Sequence, residues 1–297
     1  MKMRKSIAAV IVTYNRAEKL SKVLDSVLSQ RTPVDAIYVI DNASTDHTQQ
    51  IVASKNSTLI THIVLATNVG GAGGFHAGIK AAYEDSYDYL WIMDDDGYPN
   101  PEALGVLYNS LETFQELHHW KPTFACSGVR WVDNDLCEMN TPTPVWDWPR
   151  FYSPKLPVFL VSSCSFVSVL IPAWAVKKHG LPLKEYFIWY DDAEYTQRLS
   201  ASYPGLFCPQ SVVTHDTPEN KGVNYSLVTR ENLWKFKYGA RNEASHRYHH
   251  AGRLSFISFI LRVRRELTSG KVPRALRYEV YKAIFSGIGF NPKIEYV

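Results

Sequence analysis

The sequence predicts an α/β fold: a mostly parallel sheet with helices on both faces, followed by a basic helical C-terminal region. Three observations carry this. Short β-branched apolar runs alternate with stretches of helical period through residues 1–100, and strand–helix–strand repetition of this kind builds a parallel sheet. The polar clusters fall just after the strand runs, where such sheets bind ligands. Charge also divides the chain. Residues 1–220 carry 17 Lys+Arg against 24 Asp+Glu, net −7, and residues 221–297 carry 15 against 5, net +10.

Residues 7–12 read as a buried strand. Leu20, Val23, Leu24, Val27 and Leu28 follow at i, i+3, i+4, i+7 and i+8, the stripe of a helix packed on a sheet. Pro33 closes that unit. A second strand at 36–40 ends in Asp41-Asn42-Ala43-Ser44-Thr45-Asp46, where Ser44 or Thr45 is expected to cap a helix near 48–54. A third strand at 61–65 leads into a Gly-rich turn at 68–74 and a helix from 75 to about 84. The fourth strand, 89–93, ends in Asp94-Asp95-Asp96. Residues 120–215 mix Pro-rich loops, strand-like runs and a helix around 193–202, and the character changes near 216–225. The expected units are thus 1–220 and 221–297.

Composition narrows the function classes. A chain of 297 residues that is 45% hydrophobic and 13% aromatic is long and apolar enough to fold around a sizeable core. Cys126, Cys137, Cys164 and Cys208 are too dispersed for a C-x-x-C site, so a reducing, cytoplasmic setting is expected. The apolar run at 7–12 is too short for a signal-peptide core. Residues 156–176 lack charge but contain two prolines and four serines, which suits strand and turn rather than a bilayer helix. An acidic first part without a binding motif argues against nucleic acid as a partner.

Four motifs carry chemistry. Asp94 and Asp96 face one way on an extended segment, with Asp95 turned elsewhere. Such carboxylates suit Mg2+ or Mn2+ beside a phosphate, or a solvated acidic turn. Asn68-Val69-Gly70-Gly71-Ala72-Gly73-Gly74-Phe75 lets backbone approach an anion near a helix start, or is a flexible turn. It matches neither the dinucleotide fingerprint nor a P-loop, which excludes a nucleotide-dependent dehydrogenase. Trp189-Tyr190-Asp191-Asp192-Ala193-Glu194 opens a helix with three acids among aromatics, more than capping requires, and suits a general base. His215 can complete the shell of a cation held by Asp96. His118-His119 and His249-His250 read as surface pairs. In 253–267, Phe256, Phe259, Ile260, Val263 and Leu267 repeat at helical spacing beside Arg262, Arg264 and Arg265, either packed on the catalytic part or lying on an anionic membrane.

Taken in order, Val12-Thr13-Tyr14-Asn15-Arg16, the 41–46 segment, the Gly-rich segment, Trp91-Ile92-Met93-Asp94-Asp95-Asp96 and Asp191-Asp192-Ala193-Glu194 resemble the inverting family-2 glycosyltransferases of the GT-A, Rossmann-like fold. The resemblance covers roughly residues 6–215 and is strongest to the galactofuranosyltransferase branch, with surface-polysaccharide rhamnosyltransferases similar. It implies a metal-dependent transferase acting on a nucleotide-diphosphate sugar. UDP-galactofuranose is the first choice of donor and dTDP-rhamnose the alternative. A glycan or lipid-linked glycan would be the acceptor, as in O-antigen synthesis.

The resemblance also implies roles. Thr13, Asn15, Arg16, Asp41 and Asn42 would hold the nucleotide, with Asp41 reaching base or ribose. Asn68, Gly70, Gly71, Gly73 and Gly74 would line diphosphate and sugar, with Asp94 and Asp95 beside them. Asp94, Asp96 and His215 would hold Mn2+ or Mg2+. Asp192 would be the catalytic base, with Asp191 beside it. The sequence departs from the branch where Tyr190, rather than Trp, precedes the acid pair. With the first strand near residue 6, transfer of one or a few sugars is expected rather than a long polymer. A non-catalytic nucleotide-sugar binder is the competing class, but it has no need of a base.

Overall fold

A computed structural model describes residues 4–297. The N-terminal half is built from β1 (Ile7–Thr13), α1 (Ala17–Leu28), β2 (Ala36–Asp41), α2 (Thr48–Ser54), β3 (Ile60–Val64), α3 (Gly70–Glu84), β4 (Tyr89–Asp94), β5 (Gly97–Pro99) and α4 (Ala103–His118). Then come β6 (Ala125–Trp131), β7 (Thr143–Pro144), β8 (Phe159–Ser163), β9 (Val169–Pro172), α5 (Ala173–His179), α6 (Asp191–Ser200) and β10 (Gly205–His215). The C-terminal helices are α7 (Leu233–His246), α8 (Arg253–Ser269) and α9 (Arg274–Ser286).

One sheet runs β3-β2-β1-β4-β9-β6-β10-β8-β7, with β5 paired to β10. Strands β1 to β4, β6 and β10 share one direction, and β9, β8 and β5 oppose them. β1 is buried along its whole length because both its faces are covered. Alternation then sorts its side chains. Ile7, Ala9 and Ile11 join α1 and α4 in one core, and Ala8, Val10 and Val12 join α3, α5 and α6 in the other. The uncharged stretch 156–176 forms β8, β9 and their connections, and no helix among the described residues is long and apolar enough to cross a membrane.

The Gly-rich segment differs from the expected turn. The helix begins at Gly70, so the glycines form its first turns. Glycine weakens a helix by ~1 kcal/mol relative to alanine, which is why sequence pattern favours a turn here. Close packing offsets that cost. A Cβ at Gly74 would overlap Val12 Cγ1, and one at Gly78 would overlap Val10 Cγ1 and lie 2.8 Å from Ile40 Cγ1. At Gly70, φ is +75° and a Cβ would overlap the Phe187 carbonyl. The cap of α2 is also corrected. Neither Ser44 nor Thr45 caps it; Asp46 Oδ1 accepts from the Thr48 amide at 3.1 Å and its Oδ2 from the Ala17 amide at 3.1 Å, so one carboxylate serves two helix starts.

The C-terminal helices have a core of their own. Phe256, Phe259, Val263 and Leu267 of α8 are buried there with Phe236 of α7 and Val280 of α9. This is the packed arrangement of that stripe. Arg262 turns inward to Glu243, 2.8 Å away, and to Glu266.

Candidate active site

The register of the strands brings the polar clusters together. Thr13 lies opposite Asp41, and Val12 opposite Asp94, at the carboxyl ends of β1, β2 and β4. β5 then folds back to pair Gly97 with His215 at the end of β10. Ligand atoms of Asp94, Asp96 and His215 consequently lie within 4.8 Å of one another. Asp95 points away, accepting from Thr13 Oγ1 at 2.7 Å and from Arg16 at 3.1 Å. Arg16 also reaches Asp96 at 2.6 Å, with Lys19 Nζ 3.8 Å from the same oxygen.

His215 is buried, with Nε2 3.1 Å from Asp96 Oδ1. Its Nδ1–H donates to Asn140 Oδ1 at 2.8 Å, which fixes the ring and leaves Nε2 as the atom facing the carboxylates. Burial pushes Asp94 up to about 7, and the charge of Asp96 adds to this. Burial also pushes Asp95 up against the pull of Arg16. Asp96 is held below the usual range in spite of burial, because His215, Arg16 and Lys19 neutralise it. His215 is raised, against burial, by its bond to Asp96. Two carboxylates and an imidazole oriented by an amide form a donor set that fits Mn2+ or Mg2+.

The nucleotide-side residues form a bonded collar. Asn15 Oδ1 accepts from the Thr45 amide at 2.7 Å, and the Asn15 amide donates to Ser44 Oγ at 2.9 Å. Asp41 is fully buried; Oδ1 accepts from the Ser44 amide at 2.7 Å, and Oδ2, 3.5 Å from His62, has no hydrogen bond. Asn42 bridges the loop before α3, donating to the Gly70 carbonyl at 3.1 Å and accepting from the Val69 amide at 3.3 Å. Asn68 Oδ1 accepts from the Gly70 amide at 2.8 Å. A Cβ at Gly71 would meet nothing within 4 Å, whereas one at Gly73 would lie 2.5 Å from Val69 Cγ2.

The three acids of α6 have three different settings. Glu194 is tied to Arg198 at 2.7 and 3.0 Å. Asp191 is buried and pushed well up by burial and by Asp192; the charge of Asp94 is felt there too. Asp192 is half-buried and pushed up to about 6 by burial, with backbone hydrogen bonds opposing. Of the adjacent pair, Asp192 is therefore the carboxylate that titrates near neutrality and meets solvent.

Sequence reasoning missed Asn140 and Lys19. A signal for Lys19 existed: it stands with Arg16 at the start of α1, where the helix dipole disfavours cations unless carboxylates face them. Asn140 ends a single 3-10 turn, Glu138–Asn140, too short for periodicity, and left no signal.

Residues 8–131 match the family described as Glycosyl transferase family 2. That segment is less than half of the chain, and over it the sequence resembles family-2 glycosyltransferases. It is 37% identical over 108 residues to galactofuranosyltransferase GlfT1 of Mycolicibacterium smegmatis, covering 36% of this chain and 35% of that protein. It is 33% identical over 110 residues to hyaluronan synthase of Streptococcus pyogenes, covering 35% and 26%. The matches thus span about a third of the first of these curated relatives and about a quarter of the second. In fold, the chain superposes on a crystal structure of GalNAc-T7 with UDP, GalNAc and Mn2+ at TM-score 0.63 and 15% identity, covering 99% of this chain and 60% of that one. S. aureus TarS 1-349 in complex with UDP gives TM-score 0.55 at 15% identity, covering 96% and 88%. These neighbours establish the GT-A fold. Asp191, Asp192 and His215 lie beyond the residues matched to the family.

Proposed function

We propose that this chain transfers a sugar, with inversion, from a nucleoside-diphosphate donor to a hydroxyl of a glycan or lipid-linked glycan. Galactofuranose from UDP-galactofuranose is the donor favoured by the likeness to GlfT1. One observation carries the reading. The donor set of Asp94, Asp96 and His215 stands at the carboxyl edge of the sheet, and Asp192, the half-buried member of the Asp191–Asp192 pair, stands at the start of α6. Residues 1–220 would be the catalytic unit, with 221–297 supporting it.

In this reading the chain's residues divide the work. Asp192 takes the proton of the acceptor hydroxyl as its oxygen bonds to the anomeric carbon and the bond from that carbon to the diphosphate oxygen breaks. A divalent cation, Mn2+ or Mg2+, held by Asp94, Asp96 and His215 would neutralise the departing diphosphate as a Lewis acid. Thr13 and Arg16 position Asp95 beside this set, and Asn140 holds His215. Oδ2 of Asp41, which faces His62 Nε2 at 3.5 Å and has no hydrogen bond, offers the nucleotide a buried acceptor, the kind of group that a ligand satisfies. The acceptor oxygen, attacking from the side opposite the leaving group while Asp192 takes its proton, inverts the anomeric centre.

A peripheral place on the cytoplasmic side of an anionic membrane completes the proposal. With its Phe256 stripe buried, α8 turns Leu254, Ile257 and Leu261 outward at 83, 50 and 57% exposure, beside exposed Arg264 and Arg265. The test of function is a screen of UDP-galactofuranose, dTDP-rhamnose and other donors with Mn2+ or Mg2+, reading nucleoside-diphosphate release. Acceptor-dependent release that a chelator abolishes is expected. Turnover that persists in full under chelation would overturn the mechanism.

A further inference from the structure

The segment that delivers Asp192 is strained. Phe187, Trp189 and Tyr190 have φ of +66°, +65° and +70°, a region bulky side chains avoid, and Asp191 follows directly. Such a conformation persists only when its surroundings over-determine it. On one side, the Ala72 amide of α3 donates to the Phe187 carbonyl at 3.1 Å. On the other stands α7, from the C-terminal region. The Asn242 side chain, fully buried, donates from Nδ2 to the carbonyls of Tyr186, Ile188 and Trp189 at 2.9, 3.2 and 2.8 Å. Its Oδ1 accepts from Arg241 at 3.1 and 2.9 Å, so both ends of the amide are engaged. Gly239 leaves room for the Trp189 ring, since a Cβ there would lie 3.0 Å from Trp189 Cε3.

We propose that Asn242 is a positioning residue, whose one carboxamide locks the left-handed 186–190 turn and so aims Asp192 at the acceptor hydroxyl. The helical C-terminal region is then part of the catalytic apparatus and not only an outer attachment. Carbonyls that converge on one point repel one another, and a fixed donor among them stabilises the one backbone shape that brings them together. Neither charge nor reactivity is asked of Asn242. The inference rests on Asp192 being the base, although the locking of the turn is measurable without it.

The test compares N242A and N242D with wild type and with V263A, which weakens the same C-terminal core without removing a hydrogen bond to the turn. N242D keeps the volume but sets a carboxylate oxygen against the carbonyls, so it decides the matter if N242A fails to fold. In the free protein, hydrogen exchange of amides 187–194 should rise in the Asn242 variants, and V263A at matched loss of Tm should leave it unchanged. With donor and acceptor, kcat should fall roughly 10²-fold, the loss expected from misplacing a reacting group by about 1 Å. The donor KM should stay within about threefold, since binding is made elsewhere. Unchanged exchange in N242D, or an equal kcat loss in V263A, overturns the proposal. A wild type that turns over no donor refutes the glycosyltransferase reading instead, and the exchange measurement still decides the role of Asn242.

Discussion

Replacing Asp192 with Asn keeps the volume of the side chain and removes its ability to accept a proton. Loss of a general base costs about 10²–10⁴-fold in rate. At 1.36 kcal/mol per tenfold, that is about 2.7–5.4 kcal/mol on the barrier. The pH profile supplies a sharper signature. Burial raises the Asp192 pKa to about 6, so the base is ionised above that value and protonated below it. In wild type, kcat at saturating donor should be level above about pH 7 and fall about tenfold per pH unit below about pH 5, where less than a tenth is ionised. D192N should be slow and should lack this acid limb.

The same shift has an opposite consequence for stability. A carboxyl group whose folded pKa lies above its unfolded value of 3.8 binds more protons in the native state between the two values. Stability therefore declines as pH rises through that window, and the ionised carboxylate burdens the fold at neutral pH. D192N should melt higher than wild type at pH 7.5 while being nearly inactive, a combination that a folding defect cannot produce. UDP affinity in the presence of Mn2+, read by calorimetry, should be unchanged. An acid limb that survives in D192N, or turnover close to wild type, would refute the assignment. Turnover lost in D191N alone would move the base to its buried neighbour.

Three other perturbations test separate parts of the structure. N140A frees the His215 ring, and metal affinity measured by titration should fall about 10–100-fold, as losses of such supporting bonds do, with D96N lower still. G74A forces a methyl group onto Val12 and, 3.0 Å away, Asn42 Nδ2; thermal or urea denaturation should show a loss of about 1–3 kcal/mol. Placing Glu at Leu254, Ile257 and Leu261 together should abolish flotation with anionic liposomes while leaving Tm nearly unaltered, since these side chains are exposed. Equal flotation of that variant and wild type would leave α8 without a membrane role.

Legibility in the sequence follows the physics of each element. β1, β2 and β4 announce themselves because central strands are covered on both faces and need unbroken apolar runs. α1 does so because one face meets the sheet and the other meets water. The start of α3 was hidden, since the glycines that let it approach Val10 and Val12 are the residues that local propensity assigns to turns. The cap of α2 was hidden because Asp46 also holds the Ala17 amide of α1, a contact across 29 residues of sequence. The triple Asp was conspicuous, but Asn140 and Asn242 were not. Each acts through a few hydrogen bonds to distant segments, and no periodicity marks a residue whose partners lie 75 or 53–56 positions away.

The charge balance of the cleft gives the site its direction. Asp94, Asp95 and Asp96 occupy consecutive positions at a largely buried strand end, a costly arrangement unless each charge is met. Arg16 reaches Asp95 and Asp96, and His215 and Lys19 add to Asp96, whereas Asp94 is pushed up to about 7 by burial and by Asp96. The chain's own cations therefore favour one side of the cluster and leave Asp94 toward its neutral form. A doubly charged ion shared by Asp94, Asp96 and His215 would correct that asymmetry, making Asp94 an ionised ligand and releasing a share of Arg16 to meet a diphosphate. On this argument the buried carboxylates are a poor stability device and a good ion site. D94N should accordingly stabilise the free protein while weakening its hold on Mn2+, and a D94N variant with lower Tm and undiminished Mn2+ affinity would break the argument at its first step.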